Sequence, residues 1–175
     1  MREMTVYGVS FDLIGKQPIV LLKTTDDGKF LPIWIGHAEA AAILLHLQGQ
    51  EPQRPMTHDL ACALVASLGG EITKITVTEL KDNTFYASIT VQQGDQEIDV
   101  DSRTSDAIAI AIRADAKIYA ADAVVEESAV EFEGEEPTLE EGIATPPALS
   151  EVDMSEFRSF LDSVSADEFR VEDEP

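Results

Sequence analysis

Three short turn sequences, Asp27-Gly28, Lys81-Asp82-Asn83 and Gly94-Asp95, each separate two runs rich in β-branched and aromatic residues. Turns this short join only adjacent antiparallel strands, because a parallel pair needs a crossover of roughly a dozen residues or more. Reading outward from them places strands at 4–14, 18–25 and 29–35, and again at 71–80, 84–92 and 96–101. Between the two sets, residues 37–49 and 57–68 are built of strong helix formers and are closed by Gly49 and by Gly69-Gly70. A third helical pattern, "TSDAIAIAIRAD", covers 104–115, and 116–125 reads as a short closing strand. Strict β-α-β alternation is absent. The expected fold is therefore α+β: a compact domain with a mixed, largely antiparallel sheet and about three helices.

Charge divides the 175-residue chain. Residues 1–120 carry 10 basic against 16 acidic side chains, whereas 121–175 carry 2 against 18, out of a formal net charge of -22. From about residue 126 the composition shifts to Glu, Pro, Gly and Ser, too poor in apolar surface to offset the entropy of ordering. The expected organisation is a domain over 1–130, an acidic flexible linker over 131–149, and a C-terminal amphipathic helix with an acidic tail over 150–175. That helix would carry Val152, Met154, Phe157, Phe160, Leu161 and Val164 toward one side, a face suited to docking on its own domain or on a protein partner.

The lone cysteine, Cys62, excludes an internal disulfide, and no Cys/His spacing suits structural zinc. Within "LACALVASL" it reads as a small buried hydrophobe. The N-terminus has no signal-peptide pattern, and the longest apolar runs fall far short of the ~20 residues that span a bilayer. A soluble cytoplasmic protein without membrane association is expected.

Two stretches carry the polar residues that invite a functional reading. In "RPMTHDL" and "DSRTSDAI" a Thr-x-Asp element enters an apolar helical pattern. Thr57 and Thr104 are suited to N-capping, and Asp59 and Asp106 in the first turn would meet the positive end of the helix dipole, worth ~0.3–1 kcal/mol each. Capping does not explain His58, nor Arg54 and Arg103 just upstream. Phosphodiester hydrolysis needs carboxylates that can hold a divalent metal, a cation for the phosphate and a group for proton traffic. "EIDVDSRTSD" offers Asp99 and Asp101 on one strand face, Asp106 at a helix start, and Arg103 between them with a fork suited to phosphate. On this reading His58, Asp59, Asp106 and Glu39 are the catalytic candidates. Arg103 and Arg54 bind substrate, and Asp101 and Asp106 hold Mg²⁺ or Mn²⁺. Trp34 is suited to stacking on a base, although a tryptophan on a strand more often belongs to a core. No Walker loop, dinucleotide fingerprint, nucleophile elbow or HExxH motif is present.

The blocks "LPIWIGHAEAAAI", "RPMTHDL", "LKDNTFYASI" and "DSRTSDAIAIAIR", in that order, resemble the bifunctional nuclease domain family over roughly residues 4–130. The resemblance implies a compact α+β domain, often a homodimer, with DNase and RNase activity in some members. One position departs: the family's usual proline after the arginine of the last block is Thr104 here. The linker and the C-terminal helix lie outside the resemblance.

Two functions follow as expectations. The first is a nuclease acting on DNA and RNA, assisted by a divalent metal. The second is a non-catalytic dimeric regulatory or interaction module whose acidic tail helix binds a protein partner. The excess of acids over bases in the body weighs against tight nucleic-acid binding, which draws on Lys and Arg.

Overall fold

The computed structural model describes residues 1–12, 17–50 and 52–131. The acidic linker and C-terminal helix expected from the sequence lie outside the described residues. The element order is β1 (Arg2–Asp12), β2 (Gln17–Thr24), β3 (Phe30–Trp34), α1 (His37–Leu47), α2 (Thr57–Ser67), β4 (Glu71–Lys81), β5 (Thr84–Gln93), β6 (Gln96–Arg103), α3 (Thr104–Ala114), β7 (Lys117–Ala120) and α4 (Asp122–Ser128).

Both turn-defined meanders form as expected, and the residues at their turns explain why. Asp82 and Asn83 take positive φ angles of 50° and 57°, the conformation a two-residue hairpin demands. At the β2–β3 turn Gly28 alone adopts positive φ. Asp27 braces the turn by accepting a 2.6 Å hydrogen bond from the Thr24 hydroxyl and a 2.7 Å one from Arg2.

The strand order is β3-β2-β1-β7-β4-β5-β6. The last strand in sequence is therefore the seam between the meanders, antiparallel to β1 through Met4↔Ile118 and parallel to β4 through Ile75↔Ile118. Four residues suffice for β7 because both of its edges are paired. Expected as one strand over 116–125, this segment divides: residues 122–128 form α4, which packs on β3 and β4. The Val124-Val125 pair reads as β-branched strand, yet both side chains are buried as neighbours on a short helix, so packing outweighs intrinsic propensity. Order extends to the end of the expected domain. Val130 exchanges backbone hydrogen bonds of 2.8 and 2.9 Å with Phe30.

α3 packs between α1 and α2 on one face of the sheet. Its Ala107, Ala109 and Ala111 are fully buried, small enough to let both neighbours lie close, while Ile108 fills the space beneath. With Leu22, Leu31, Ile43 and Ile75 it forms an aliphatic core, where loss of one such side chain to alanine costs about 2–5 kcal/mol.

Candidate active site

The N-terminal ends of the three large helices bring the polar residues together. β6 runs without a loop into α3, so Arg103 is both the last strand residue and the N-cap of the helix. Its extended backbone (φ -63°, ψ 141°) lets the side chain fold over the first turn. There Nε donates to Asp106 Oδ2 at 2.7 Å, Nη2 to Asp106 Oδ1 at 3.2 Å, and Nη1 to Glu39 Oε1 at 2.9 Å. His58, in the first turn of α2, completes the chain at 3.0 Å from Nε2 to Asp106 Oδ1.

Because an ionised carboxylate only accepts, Nε2 is the donor in this bond, and the buried Nδ1 has no hydrogen-bond partner among the described residues. His58 is 13% exposed and Asp106 28%, whereas Arg103 at the open end is 68% exposed. Burial would raise the Asp106 carboxyl. The hydrogen bonds from Arg103 and His58 outweigh it and hold the group below its ordinary value, ionised. The Arg103 guanidinium is raised in turn, chiefly by Asp106.

Glu39 owes its place to Gly36, the N-cap of α1. A methyl group on Gly36 would collide with the Glu39 carboxylate, so the glycine leaves the space into which Glu39 curls back.

Of the seven residues singled out in the sequence, four thus converge: Glu39, His58, Arg103 and Asp106. Asp59 goes elsewhere. One carboxylate oxygen accepts the Met56 backbone N–H at 2.8 Å, and the other pairs with Arg113. Arg113 is only 6% exposed and also donates to the carbonyls of Ala109 and Ala42, tying α1, α2 and α3 together. This clamp has no motif in the sequence. Arg54 is exposed on the loop before α2.

Asp101 lies on β6 two residues before Arg103. Val91 and Val65 both flank Gly70, which puts Val91 and its cross-strand partner Ile98 on the side of α2. By alternation Asp99 and Asp101 take the other face, where Asp99 accepts a 2.6 Å hydrogen bond from Thr90. Among the described residues no group of three or more His, Cys, Asp or Glu side chains is placed to hold a metal ion. Both Asp106 oxygens, moreover, face Arg103 or His58.

The threonines do not cap. The N-cap positions are Met56 and Arg103, and Thr57 and Thr104 are the first helical residues. Thr104 is buried and its hydroxyl donates to the Phe85 carbonyl at 2.9 Å, pinning the start of α3 to β5.

The profile of the bifunctional nuclease domain matches residues 20–133, which contain all four converging side chains. The chain belongs to the bifunctional nuclease domain family. It is also 39% identical over 171 residues to two uncharacterized proteins from two strains of Mycobacterium tuberculosis, covering 98% of this chain and 99% of each relative.

Within this bifunctional nuclease domain the cluster opens into a cavity of about 390 Å³ lined by Arg103, Glu39, Ser105, Asn83, Phe85 and Trp34. Trp34, read as a core residue from its strand setting, is 53% exposed at the end of β3. The hydrophobic pattern alone cannot show this, because the last residue of a strand can escape the core its neighbours enter. Cys62 is half-buried against α3 and its thiol is pushed up by burial, in line with a packing role. Among the described residues no helix is long and apolar enough to cross a membrane.

Proposed function

We propose that the Glu39–Arg103–Asp106–His58 cluster is a phosphodiester-cleaving site acting on DNA or RNA. One observation carries the reading: a cavity wall holds an exposed guanidinium fixed between two carboxylates, inside a region that matches a nuclease domain. Arginine has five N–H donors. Three are engaged, leaving one on each Nη for the non-bridging oxygens of a phosphate, whose negative charge grows as water attacks. Asp106 fixes the orientation of Arg103, and His58 fixes Asp106. Glu39 supplies the carboxylate that takes a proton from the attacking water. As the water oxygen bonds to phosphorus, the P–O bond to the leaving sugar oxygen breaks, and that oxygen takes a proton from solvent. His58 acts here as a positioning residue, because its free Nδ1 is buried. The chemistry proposed runs on these side chains, with no step assigned to a metal. The test is cleavage of labelled single- and double-stranded DNA and RNA by Glu39→Gln and wild type purified identically, with and without Mg²⁺ or Mn²⁺. Loss of cleavage in the variant supports the reading; equal cleavage by both contradicts it.

A second reading has its own observation. α2 leaves Leu60, Leu64 and Leu68 exposed at helical spacing, and Ile98 and Val100 are exposed on the same side of the edge strand β6. A second copy of the chain could cover this stripe by pairing along β6, giving the dimeric interaction module expected as the alternative. Acidic Glu97, Asp99 and Asp101 along that strand oppose close self-pairing, which places this reading second.

A further inference from the structure

Trp34 stands between two cavities. On one side is the 390 Å³ space with Arg103 and Glu39. On the other is an adjoining space of about 570 Å³, walled by Pro32, Leu80 and Val130. Gln17, Trp34, Asn83 and Phe85 line both, so the indole rises from the floor of a single cleft that is polar at one end and apolar at the other. A half-exposed tryptophan in such a place loses the burial energy that its strand neighbours gain. Among the described residues its outer surface stays half open: its cross-strand neighbour is Ile19, and the chain turns at Gly36 two residues later.

We propose that this cleft is a base-stacking subsite for single-stranded nucleic acid, with Trp34 as the platform and Arg103 as the contact for the adjoining phosphate. The proposal rests on the phosphodiester reading for the nature of the polymer and adds its strandedness. An indole presents a large flat face on which any base can stack, at ~1–3 kcal/mol per base. The amides of Gln17 and Asn83 lie on the same cleft and can both donate to and accept from a base edge. A base inside a duplex cannot reach a ring set in a cleft without leaving its stack, so single strands are the favoured class. Among the described residues lining the two cavities, Arg103 is the one cation. Stacking, more than phosphate contact, therefore supplies the affinity, and binding should depend only weakly on salt, with a slope near the ~-0.7 expected of one phosphate contact on a single strand.

Trp34 is the only tryptophan in the chain, so its fluorescence reports the site directly. The full-length protein is titrated with a six-nucleotide oligothymidylate and with an abasic oligomer carrying the same phosphates, under conditions where cleavage is arrested by cold and short times. Affinities for labelled versions are measured by anisotropy for wild type, Trp34→Ala and Trp34→Phe. The expected result is saturable quenching by the thymidylate and none by the abasic oligomer. Trp34→Ala should bind at least about fivefold more weakly, Trp34→Phe nearly normally, and a duplex of the same sequence more weakly than the single strand. Equal binding of the two oligomers, unchanged binding by Trp34→Ala, or no binding of either overturns the subsite. The two proposals fail separately. Quenching without any cleavage leaves the subsite and removes the nuclease reading. Cleavage lost in Glu39→Gln with a silent Trp34 does the reverse.

Discussion

Arg103 and Asp106 lie three residues apart across the junction of β6 and α3, joined by hydrogen bonds of 2.7 and 3.2 Å that bind both carboxylate oxygens to one guanidinium. Such a bidentate pair fixes the plane of the arginine, so a strand that ends and a helix that begins without a loop present a rigid cation at the rim of a cavity. Asp106→Asn keeps the shape but removes the charge that orients Arg103. The variant should lose about 1–3 kcal/mol of stability by urea unfolding, the usual worth of hydrogen bonds to a charged group. It should also lose cleavage by a larger factor than it loses substrate affinity.

Gly36→Ala tests the site without touching its chemistry. The backbone there (φ -76°, ψ 161°) accepts any residue, but the new methyl would displace the Glu39 carboxylate from Arg103. Stability should change by less than about 1 kcal/mol, since removing a glycine also restricts the unfolded chain. Cleavage should fall as it does in Glu39→Gln. A fully active Gly36→Ala would mean that the position of Glu39 is immaterial.

Asp59 is expected to matter for folding and not for chemistry. Its carboxyl is held below its ordinary value: burial acts to raise it, and the Arg113 and Met56 N–H bonds together outweigh that. Asp59→Ala leaves the almost fully buried Arg113 with its two carbonyl acceptors and no counter-charge. A loss of about 3 kcal/mol is expected from thermal or urea unfolding. Cleavage per folded molecule should be unchanged at a temperature well below the new midpoint.

Asp27 titrates lower than a free aspartate, from 3.8 to about 2, chiefly because the Thr24 hydroxyl donates to it, with Arg2 adding to the effect. A carboxyl depressed in the folded state stabilises the fold above its unfolded value, and that contribution is lost as pH falls through the folded one. The β2–β3 turn should therefore hold down to about pH 4 and loosen between there and 2. Carboxyl chemical shifts followed by NMR should give a midpoint near 2 in wild type, moving back toward 3.8 in Thr24→Val.

The sequence made most of the fold legible because its turns are explicit. Asp82-Asn83 and Gly94 fix two hairpins at residue level, and the helix starts at 37, 57 and 104 follow from pattern and punctuation. The central place of β7 was not legible, since nothing local in Lys117–Ala120 says that both its edges are paired. Nor was α4, whose paired valines imitate a strand. At the site, chemistry-bearing residue types picked out Glu39, His58, Arg103 and Asp106. The same reasoning put Asp59 among them, and a clamp partner inside the fold claims it. Arg113 and the exposure of Trp34 depend on contacts between segments far apart in sequence, which no spacing encodes.

The most direct measurement is the cleavage rate of highly purified Arg103→Ala beside wild type on a labelled single strand, together with the unfolding midpoint of each. Arg103 is the most exposed member of the cluster, so its truncation should leave the midpoint within a few degrees while cleavage drops by about a hundredfold or more, the scale of losing one charge-stabilising donor. Equal rates for the two proteins, with the fold intact in both, would contradict the assignment of this cluster as the cleaving site.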